Sequence, residues 1–175
     1  MSELLEIIQL GHPILRSQAR TIDNIHSPQV QNLIDNLLTT VVAANGVGIA
    51  APQVAARDRL FIVASRPNSR YLNAPQMQPT AMINPQILAT SLELVTGWEG
   101  CLSIPGIRGL VPRYQAIEVE YSDRTGKLHK QELTDFVARI FQHELDHLDG
   151  IVFVDRLQST QDLITEQEYQ KLHPV

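Results

Sequence analysis

Residues 134–149 carry the pattern that most limits how this chain can fold. Apolar residues recur at helical spacing along one side, at Phe136, Val137, Ile140, Phe141, Leu145 and Leu148. Polar residues recur every three or four positions and predict a stripe that faces water, at Asp135, Arg139, Gln142, Asp146 and Asp149. His143, Glu144 and His147 fall on the apolar side. Because burying ionisable groups without partners is costly, the predicted helix must bring these three to partners.

The same three residues match the pattern H-E-x-x-H. Four residues advance a helix by about 400°, so the two imidazoles lie one turn apart and can reach the same metal ion. Glu144 lies beside them, where it can handle a proton on water bound to that metal. Two ordinary helical histidines would share this spacing, but their position on the apolar side favours a metal site.

A catalytic metal site usually has three protein ligands and one open position, so a third ligand is needed. A metzincin peptidase would place that ligand at Phe153, which cannot bind a metal. A thermolysin-like peptidase would use a glutamate about one helix further along, and Glu166 and Glu168 keep that class open. The remaining candidate is Cys101, the only cysteine of the chain.

Cys101 lies in the segment WEGCLSIPG at 98–106, which is predicted to be a loop. A lone cysteine forms no intrachain disulfide, and Cys101 is therefore a packed thiol, a metal ligand or a nucleophile. Gly100 allows the backbone to approach a ligand closely, which favours a metal ligand over a packed thiol. Glu99 and Arg113 are candidates for a pair that fixes this loop.

The segment GVGIAAPQ at 46–53 follows a predicted helix. A dinucleotide-binding fingerprint follows a strand instead, so the Gly-x-Gly here does not predict a nucleotide site. Small residues and a short apolar run favour a backbone edge against which an extended peptide can lie. Gln53 ends the segment and offers a side-chain amide that can donate hydrogen bonds.

The remaining pattern indicates an α+β arrangement, because helices and strands do not alternate along the chain. An N-terminal arm at 5–22 precedes a helix that begins at the cap Ser27 and ends at Asn45 and Gly46. Residues 66–79 are predicted to form a surface loop. Strands are predicted at 60–64, 82–88, 91–96, 116–121 and 128–133, with a hairpin turn at 123–126.

Composition excludes several classes of protein. The chain has 175 residues, which fits a single domain. Its 14 Lys+Arg stand against 19 Asp+Glu, and a net charge of −5 argues against specific DNA binding. No apolar run approaches the ~20 residues of a membrane span, and the first residues lack the basic cluster of a signal peptide. With one cysteine, the expectation is a cytoplasmic protein without membrane association.

Three segments together resemble the signature segments of the peptide deformylases, in the same order: GVGIAAPQ at 46–53, EGCLS at 99–103 and QHELDH at 142–147. The likeness runs from the N-terminal arm to about residue 156, and family detail is not carried over to the loop at 66–79 or the tail from 157. It implies one catalytic domain over 1–175, with short antiparallel sheets around a central H-E-x-x-H helix.

The activity implied by this resemblance is hydrolysis of the N-formyl group from nascent polypeptides that begin with formyl-methionine, which releases formate. Cys101, His143 and His147 would hold the metal ion. Glu144 would move the proton, while the Gln53 amide and the Leu102 backbone N–H would stabilise charge on the formyl oxygen. The substrate-binding residues implied are Gly48, Ile49, Glu99, Gly100, Phe136 and Ile140. The walls of the methionine pocket would be formed by Ile49, Phe136, Ile140 and His143.

A ligand set of one cysteine and two histidines suits Fe²⁺, Zn²⁺, Ni²⁺ or Co²⁺, and the resemblance favours one Fe²⁺. The implied partners are N-formyl-methionyl nascent peptides, with transient contact to the ribosome. Two alternatives stay open, the thermolysin-like endopeptidase and a non-catalytic protein with a structural metal. The second is disfavoured because no fourth ligand is evident.

Overall fold

A computed structural model of the chain describes residues 2–173, which fold into helices and two antiparallel sheets. The helices are α1 (Pro28–Ala43), α2 (Asp135–Leu148) and α3 (Glu166–Leu172). The strands are β1 (Gly48–Ala50), β2 (Leu60–Val63), β3 (Thr80–Thr90), β4 (Leu94–Cys101), β5 (Ile104–Tyr114), β6 (Ala116–Ser122), β7 (Leu128–Thr134) and β8 (Leu163–Thr165). The predicted α+β class is confirmed.

The two sheets present one edge strand each to the same region of the molecule. The larger sheet has the order β1-β2-β3-β6-β7, and the smaller has the order β4-β5-β8. Every strand pair is antiparallel. β1 and β4 therefore each pair on one side only, which leaves backbone groups of both strands available on their other side.

Helix α1 forms where the sequence predicts it. The Ser27 hydroxyl accepts a hydrogen bond from the Val30 N–H at 3.3 Å, and Pro28 occupies the first turn, where its missing N–H costs nothing. Its apolar side buries Ile34, Leu37 and Val41 in a core that it shares with β1 and β2.

Helix α2 lies between the two sheets, in contact with β1, β2, β6 and β7 of one and β5 of the other. The predicted water-facing stripe is wrong in its middle, because Gln142 and Asp146 are each only 6% exposed. The Gln142 side chain bonds the backbone of Tyr114 in both directions, and Asp146 accepts hydrogen bonds from Arg113 and Arg156. Periodicity reports one buried side of a helix and gives no sign of a second layer packed on its polar side.

The segment around Cys101 also differs from the prediction. Cys101 is the last residue of β4 and is followed by a tight turn into β5, a strand that the sequence pattern did not indicate. The predicted strand at 91–96 begins only at Leu94. Further along, β8 pairs with β5 and leads into α3, so the tail has regular structure that was not predicted.

The N-terminal arm lies against both segments that flank the buried histidines. The Ile8 N–H donates to the Gln53 carbonyl at 2.9 Å, and the Leu10 N–H donates to the Ser103 carbonyl at 2.8 Å. The arm thereby ties the 3₁₀ turn that follows β1 (Ala51–Val54) to the turn after β4. Among residues 2–173, no helix combines the length and apolar character needed to cross a bilayer.

Candidate active site

Three potential metal ligands converge at the start of the turn after β4. The ligand atoms of Cys101, His143 and His147 all lie within 4.8 Å of one another. The Cys101 Sγ is 3.3 Å from Nε2 of His147. The two histidines come from successive turns of α2, and Cys101 comes from the end of β4, so the cluster joins the central helix to the smaller sheet.

Glu99 connects this cluster to buried cations. Its Oε2 lies 2.9 Å from Nδ1 of His143, and Arg113 binds both carboxylate oxygens at 2.9 and 3.0 Å. Arg139 adds a third cationic contact at 2.9 Å. Burial by itself would raise the pKa of Glu99, but Arg113 and His143 hold that pKa well below its usual range. The expected pair of Glu99 and Arg113 is therefore present, and it is buried.

The ionised Glu99 carboxylate fixes the state of His143. A carboxylate accepts hydrogen bonds only, so Nδ1 of His143 carries a proton. Nε2 is then the nitrogen available as a ligand on the side of Cys101. A partner that orients a histidine in this way is typical of metal sites in proteins.

The Cys101 thiol is held in its ionised form by the two histidines. Burial alone would raise the pKa of Cys101, but the charge and hydrogen bonds of His147 and His143 lower it well below its usual value. The same contacts, together with Glu99, raise the pKa of His143 against the effect of burial. A thiolate and two imidazoles form a ligand set that fits a divalent transition metal, and they leave one position of a tetrahedral site open.

Glu144 lies beside the cluster without a cation of its own. Its side chain is buried, and this burial raises the pKa of Glu144 to about 7. Among the described residues, its Oε2 has no hydrogen-bond partner. Its Oε1 occupies the space that a side chain at Gly48 would fill. Gly48 is thus the residue that lets α2 approach β1 closely enough for Glu144 to reach the cluster.

Gln53 holds its amide in one orientation toward Cys101. The Gln53 Oε1 accepts a hydrogen bond from the Ala50 N–H at 2.9 Å. Its Nε2 donates to the Ser103 hydroxyl at 3.2 Å and lies 3.5 Å from the Cys101 Sγ. In the same turn, the Leu102 N–H has no acceptor within the described part of the chain. The Ser103 N–H also donates to the Cys101 Sγ, at 3.4 Å, so the sulfur is flanked by this N–H and the Gln53 amide.

These groups line a groove between β1 and β4. Apart from the three potential metal ligands, nine residues were predicted to belong to the site. Eight of them line the groove: Gly48, Gln53, Glu99, Gly100, Leu102, Phe136, Ile140 and Glu144. Cys101 and His143 also line it, and His147 lies behind them as a member of the cluster.

Ile49 is the predicted pocket residue that the structure places elsewhere. Its side chain is fully buried and packs with α1, on the side of β1 opposite the groove. Gly48 and Ile49 are neighbours in a strand, and successive side chains of a strand point to opposite faces. Ile49 therefore offers only its backbone to a molecule bound in the groove.

Sequence reasoning missed two groove residues in the loop at 66–79, Arg70 and Tyr71. The Tyr71 hydroxyl accepts a hydrogen bond from the Gly100 N–H at 3.3 Å, and its ring packs on Phe136 with centroids 5.1 Å apart. The available signal was two large side chains side by side in a loop otherwise rich in Pro, Asn and small residues. Large side chains on a loop are candidates for binding roles.

Glu166, a candidate third ligand of the peptidase alternative, binds elsewhere. Its carboxylate accepts two hydrogen bonds from Arg108, at 2.6 and 2.9 Å. Neither Glu166 nor Glu168 joins the cluster of Cys101 and the two histidines in the described residues. The geometry accordingly favours Cys101 over a glutamate as the partner of the histidine pair.

Comparison with known proteins assigns a family to this fold and groove. The model of the family described as Polypeptide deformylase matches residues 4–162. Peptide deformylase 2 from Nostoc sp. is 68% identical over 170 residues, which cover 97% of this chain and 95% of that protein. Peptide deformylase 2 from Shewanella oneidensis is 46% identical over 164 residues, covering 94% and 90%. The Met-Ala-Ser-bound structure of a class I type b peptide deformylase from Acinetobacter baumannii matches with a TM-score of 0.87 at 44% identity, over 90% of this chain and 100% of that one.

Proposed function

The chain belongs to the peptide deformylase family, and from this premise we propose how its own residues carry out the reaction. It is a hydrolase that removes the N-formyl group from nascent polypeptides. This assignment replaces the thermolysin-like endopeptidase and the non-catalytic metal protein as alternatives. The observation that carries the proposal for the site is the convergence of Cys101, His143 and His147 beside Glu144 and Gln53.

We assign the metal ligands to the Cys101 thiolate and the imidazole nitrogens of His143 and His147. Glu99 supports this role, because it holds Nδ1 of His143 as a donor and leaves Nε2 for the ligand bond. The bound ion supplies Lewis-acid chemistry that lowers the pKa of a water molecule. Fe²⁺ is the proposed native ion, with Zn²⁺, Ni²⁺ and Co²⁺ as alternatives that the same ligand set accommodates.

The substrate lies extended between the free edges of β1 and β4. The Gly48–Ile49 backbone faces it on one side, and the Gly100 carbonyl faces it on the other, since the Gly100 N–H is bonded to Tyr71. Phe136 and Ile140 form an apolar wall from one side of α2 and receive the methionine side chain.

The chemical step uses one group that carries a proton and two groups that donate hydrogen bonds. Glu144 accepts the proton of the attacking water at its unpartnered Oε2 and passes it to the amine nitrogen that leaves. The Gln53 Nε2 and the Leu102 N–H donate to the formyl oxygen as negative charge develops on it. The products are formate and a peptide with a free amino terminus.

Several wider assignments belong to the same proposal. Residues 1–175 act as a single catalytic domain, supported by the way β8 returns to the smaller sheet and α3 packs on Trp98 through Tyr169. The enzyme works in the cytoplasm, since formylated nascent chains arise where translation occurs. Transient contact with the ribosome would bring it to them.

Formate release and metal content test this proposal together. Protein purified without oxygen should release formate from a formyl-Met-Ala-Ser peptide and carry about one equivalent of metal, because residues 2–173 contain one such cluster. Removing the metal with a chelator should abolish the activity, and adding back Fe²⁺ should restore it. A metal-free preparation with full activity would contradict the proposed ligand set.

A further inference from the structure

A surplus positive charge lies at the mouth of the groove. Arg70 lines the groove and two adjoining cavities, and its Nη2 lies 2.7 Å from the position that a side chain at Gly100 would take. Within residues 2–173, its guanidinium makes no hydrogen bond and no ion pair, although it lies 5.9 Å from the centroid of the Tyr71 ring. A guanidinium without an acceptor is available to bind an anion.

The neighbouring charges do not neutralise Arg70. The nearby carboxylate, Glu166, is bound through both oxygens to Arg108, at 2.6 and 2.9 Å. Arg108 is buried, and its Nη1 has no acceptor among the described residues. Glu166 therefore balances the charge of Arg108 alone, which leaves the charge of Arg70 in excess at this end of the groove, on a protein whose net charge is −5.

Arg70 lies next to the edge of β4 along which the substrate peptide is proposed to bind. Gly100 precedes Cys101 on β4, and the proposed peptide runs along this edge. An extended peptide advances about 3.3 Å per residue, so the first residues after formyl-methionine lie near Arg70. Arg70 can then reach a side chain of the peptide without contacting the formyl group.

We propose that Arg70 is a specificity-determining residue that binds a carboxylate side chain carried by the substrate within the two residues after formyl-methionine. This inference rests on the proposed placement of the peptide along β4. The substrates favoured at this site are nascent chains with Asp or Glu near their amino terminus. A free carboxylate at the end of a short peptide has the same chemistry, so the test must separate the two sources.

Matched peptides separate a carboxylate side chain from a free carboxyl end. Formyl-Met-Ala-Glu and formyl-Met-Ala-Gln, both with amidated carboxyl ends, differ only in one side-chain charge, and formyl-Met-Glu-Ala and formyl-Met-Gln-Ala amides test the neighbouring position. In the metal-loaded enzyme, we expect kcat/KM to be about threefold to fivefold higher for Glu than for Gln at one of these positions. Added salt should reduce this ratio, because it screens the interaction.

Substitution of Arg70 gives the decisive comparison. In Arg70→Gln, the Glu/Gln ratio of kcat/KM should fall to about one, since the charge that distinguishes the two side chains is gone. Each ratio compares two substrates of the same preparation, so incomplete folding or metal loading cancels. Arg57→Gln is the matched control, because it removes the same charge from an exposed position that does not line the groove, and it should retain the wild-type ratio.

Binding of the deformylated products gives a second measurement. Trp98 is the only tryptophan of the chain and lines the groove, so its fluorescence reports occupancy. In the wild type, the Glu peptide amide should bind more tightly than the matching Gln peptide amide, either for Met-Ala-Glu against Met-Ala-Gln or for Met-Glu-Ala against Met-Gln-Ala. In Arg70→Gln, the two members of each pair should bind equally.

A Glu/Gln ratio of one in the wild type at both positions, or a ratio that Arg70→Gln leaves unchanged, would overturn the inference. Preference only for peptides with a free carboxyl end would overturn it as well, because nascent chains do not offer that group. Loss of formate release from the neutral peptides in the wild type would instead count against the proposed function itself.

Discussion

Oε2 of Glu99 lies 2.9 Å from Nδ1 of His143, so a carboxylate at the end of β4 orients an imidazole on α2. The same carboxylate binds Arg113 and Arg139, which keep it ionised although it is buried. The proposed ligand His143 is therefore held by the smaller sheet as well as by its own helix. This relationship leads to the first prediction.

Glu99→Gln should weaken metal binding by about 10- to 100-fold, a range typical for loss of a partner that orients a metal-binding histidine. A neutral amide accepts the Nδ1 proton less strongly, and it removes one of the two carboxylates that bind Arg113, which leaves only Asp146. Competition with a chromogenic chelator measures the affinity. Glu118→Gln is the control, because Glu118 pairs with Lys130 in an exposed position on β6. Equal affinity in Glu99→Gln and the wild type would refute the orienting role.

Cys101→Ala, His143→Ala and His147→Ala should each lose most of the bound metal and all useful activity. Each change removes one of three donor atoms that lie within 4.8 Å of one another. Elemental analysis of protein purified without oxygen measures the metal. A full equivalent of metal in Cys101→Ala would show that the thiolate is not a ligand. Ser159→Ala should keep both metal and activity, because Ser159 is an exposed residue that caps the 3₁₀ turn Thr160–Asp162.

Glu144→Gln should keep the metal and lose turnover. The amide cannot accept a proton, and loss of a general acid–base group costs about 10²–10⁴ in kcat. The Gln side chain has nearly the same size, so the packing of α2 on Gly48 should persist. Metal content and kcat are measured on the same preparation. Near-wild-type kcat in Glu144→Gln would assign the proton transfer to another group.

Gln53→Ala should lower kcat about 10²–10³-fold with a smaller effect on KM, because the amide is proposed to bind charge that develops only in the transition state. Gln53→Glu should be at least as damaging. Its carboxylate would lie next to the Cys101 thiolate, at the place where Nε2 is now 3.5 Å from Sγ. If Gln53→Ala lowered the melting temperature and left kcat per folded, metal-loaded molecule unchanged, Gln53 would have a structural role only.

Gly48→Ala should reduce kcat strongly, while the yield of folded protein stays normal. The new methyl group would overlap with Oε1 of Glu144 and lie 2.9 Å from Cγ2 of Ile140, so Glu144 has to move. Kinetic constants together with thermal unfolding distinguish this effect from general instability. Gly126→Ala is the comparison. Gly126 has a positive φ of 81°, so an alanine there would be strained, and its hairpin turn does not line the groove. This variant should lower stability and spare kcat, and an equal loss of kcat in both variants would argue against the contact with Glu144.

Much of the site could be predicted from short stretches of sequence because its spacing is local. The H-E-x-x-H spacing alone places two histidines on one side of a helix, and α2 begins at Asp135 and ends at Leu148, inside the predicted range. The cap Ser27 and the hairpin turn at Asp123 and Gly126 also follow from local hydrogen bonds and backbone preferences, and the structure has both. The order of three motifs was enough to indicate the family, which the comparisons confirm.

The tertiary structure decided the features that depend on residues far apart in the chain. Glu99 and His143 are 44 positions apart, and Gln53 and Cys101 are 48 apart, so no periodicity within a segment could join them. Ile49 turned away from the groove because its strand packs on α1 with that face. Gln142 and Asp146 became buried because the smaller sheet covers the polar side of α2, and its arginine and backbone groups satisfy them. Local sequence encodes periodicity and turn chemistry, whereas the packing of the two sheets determines which polar groups find their partners.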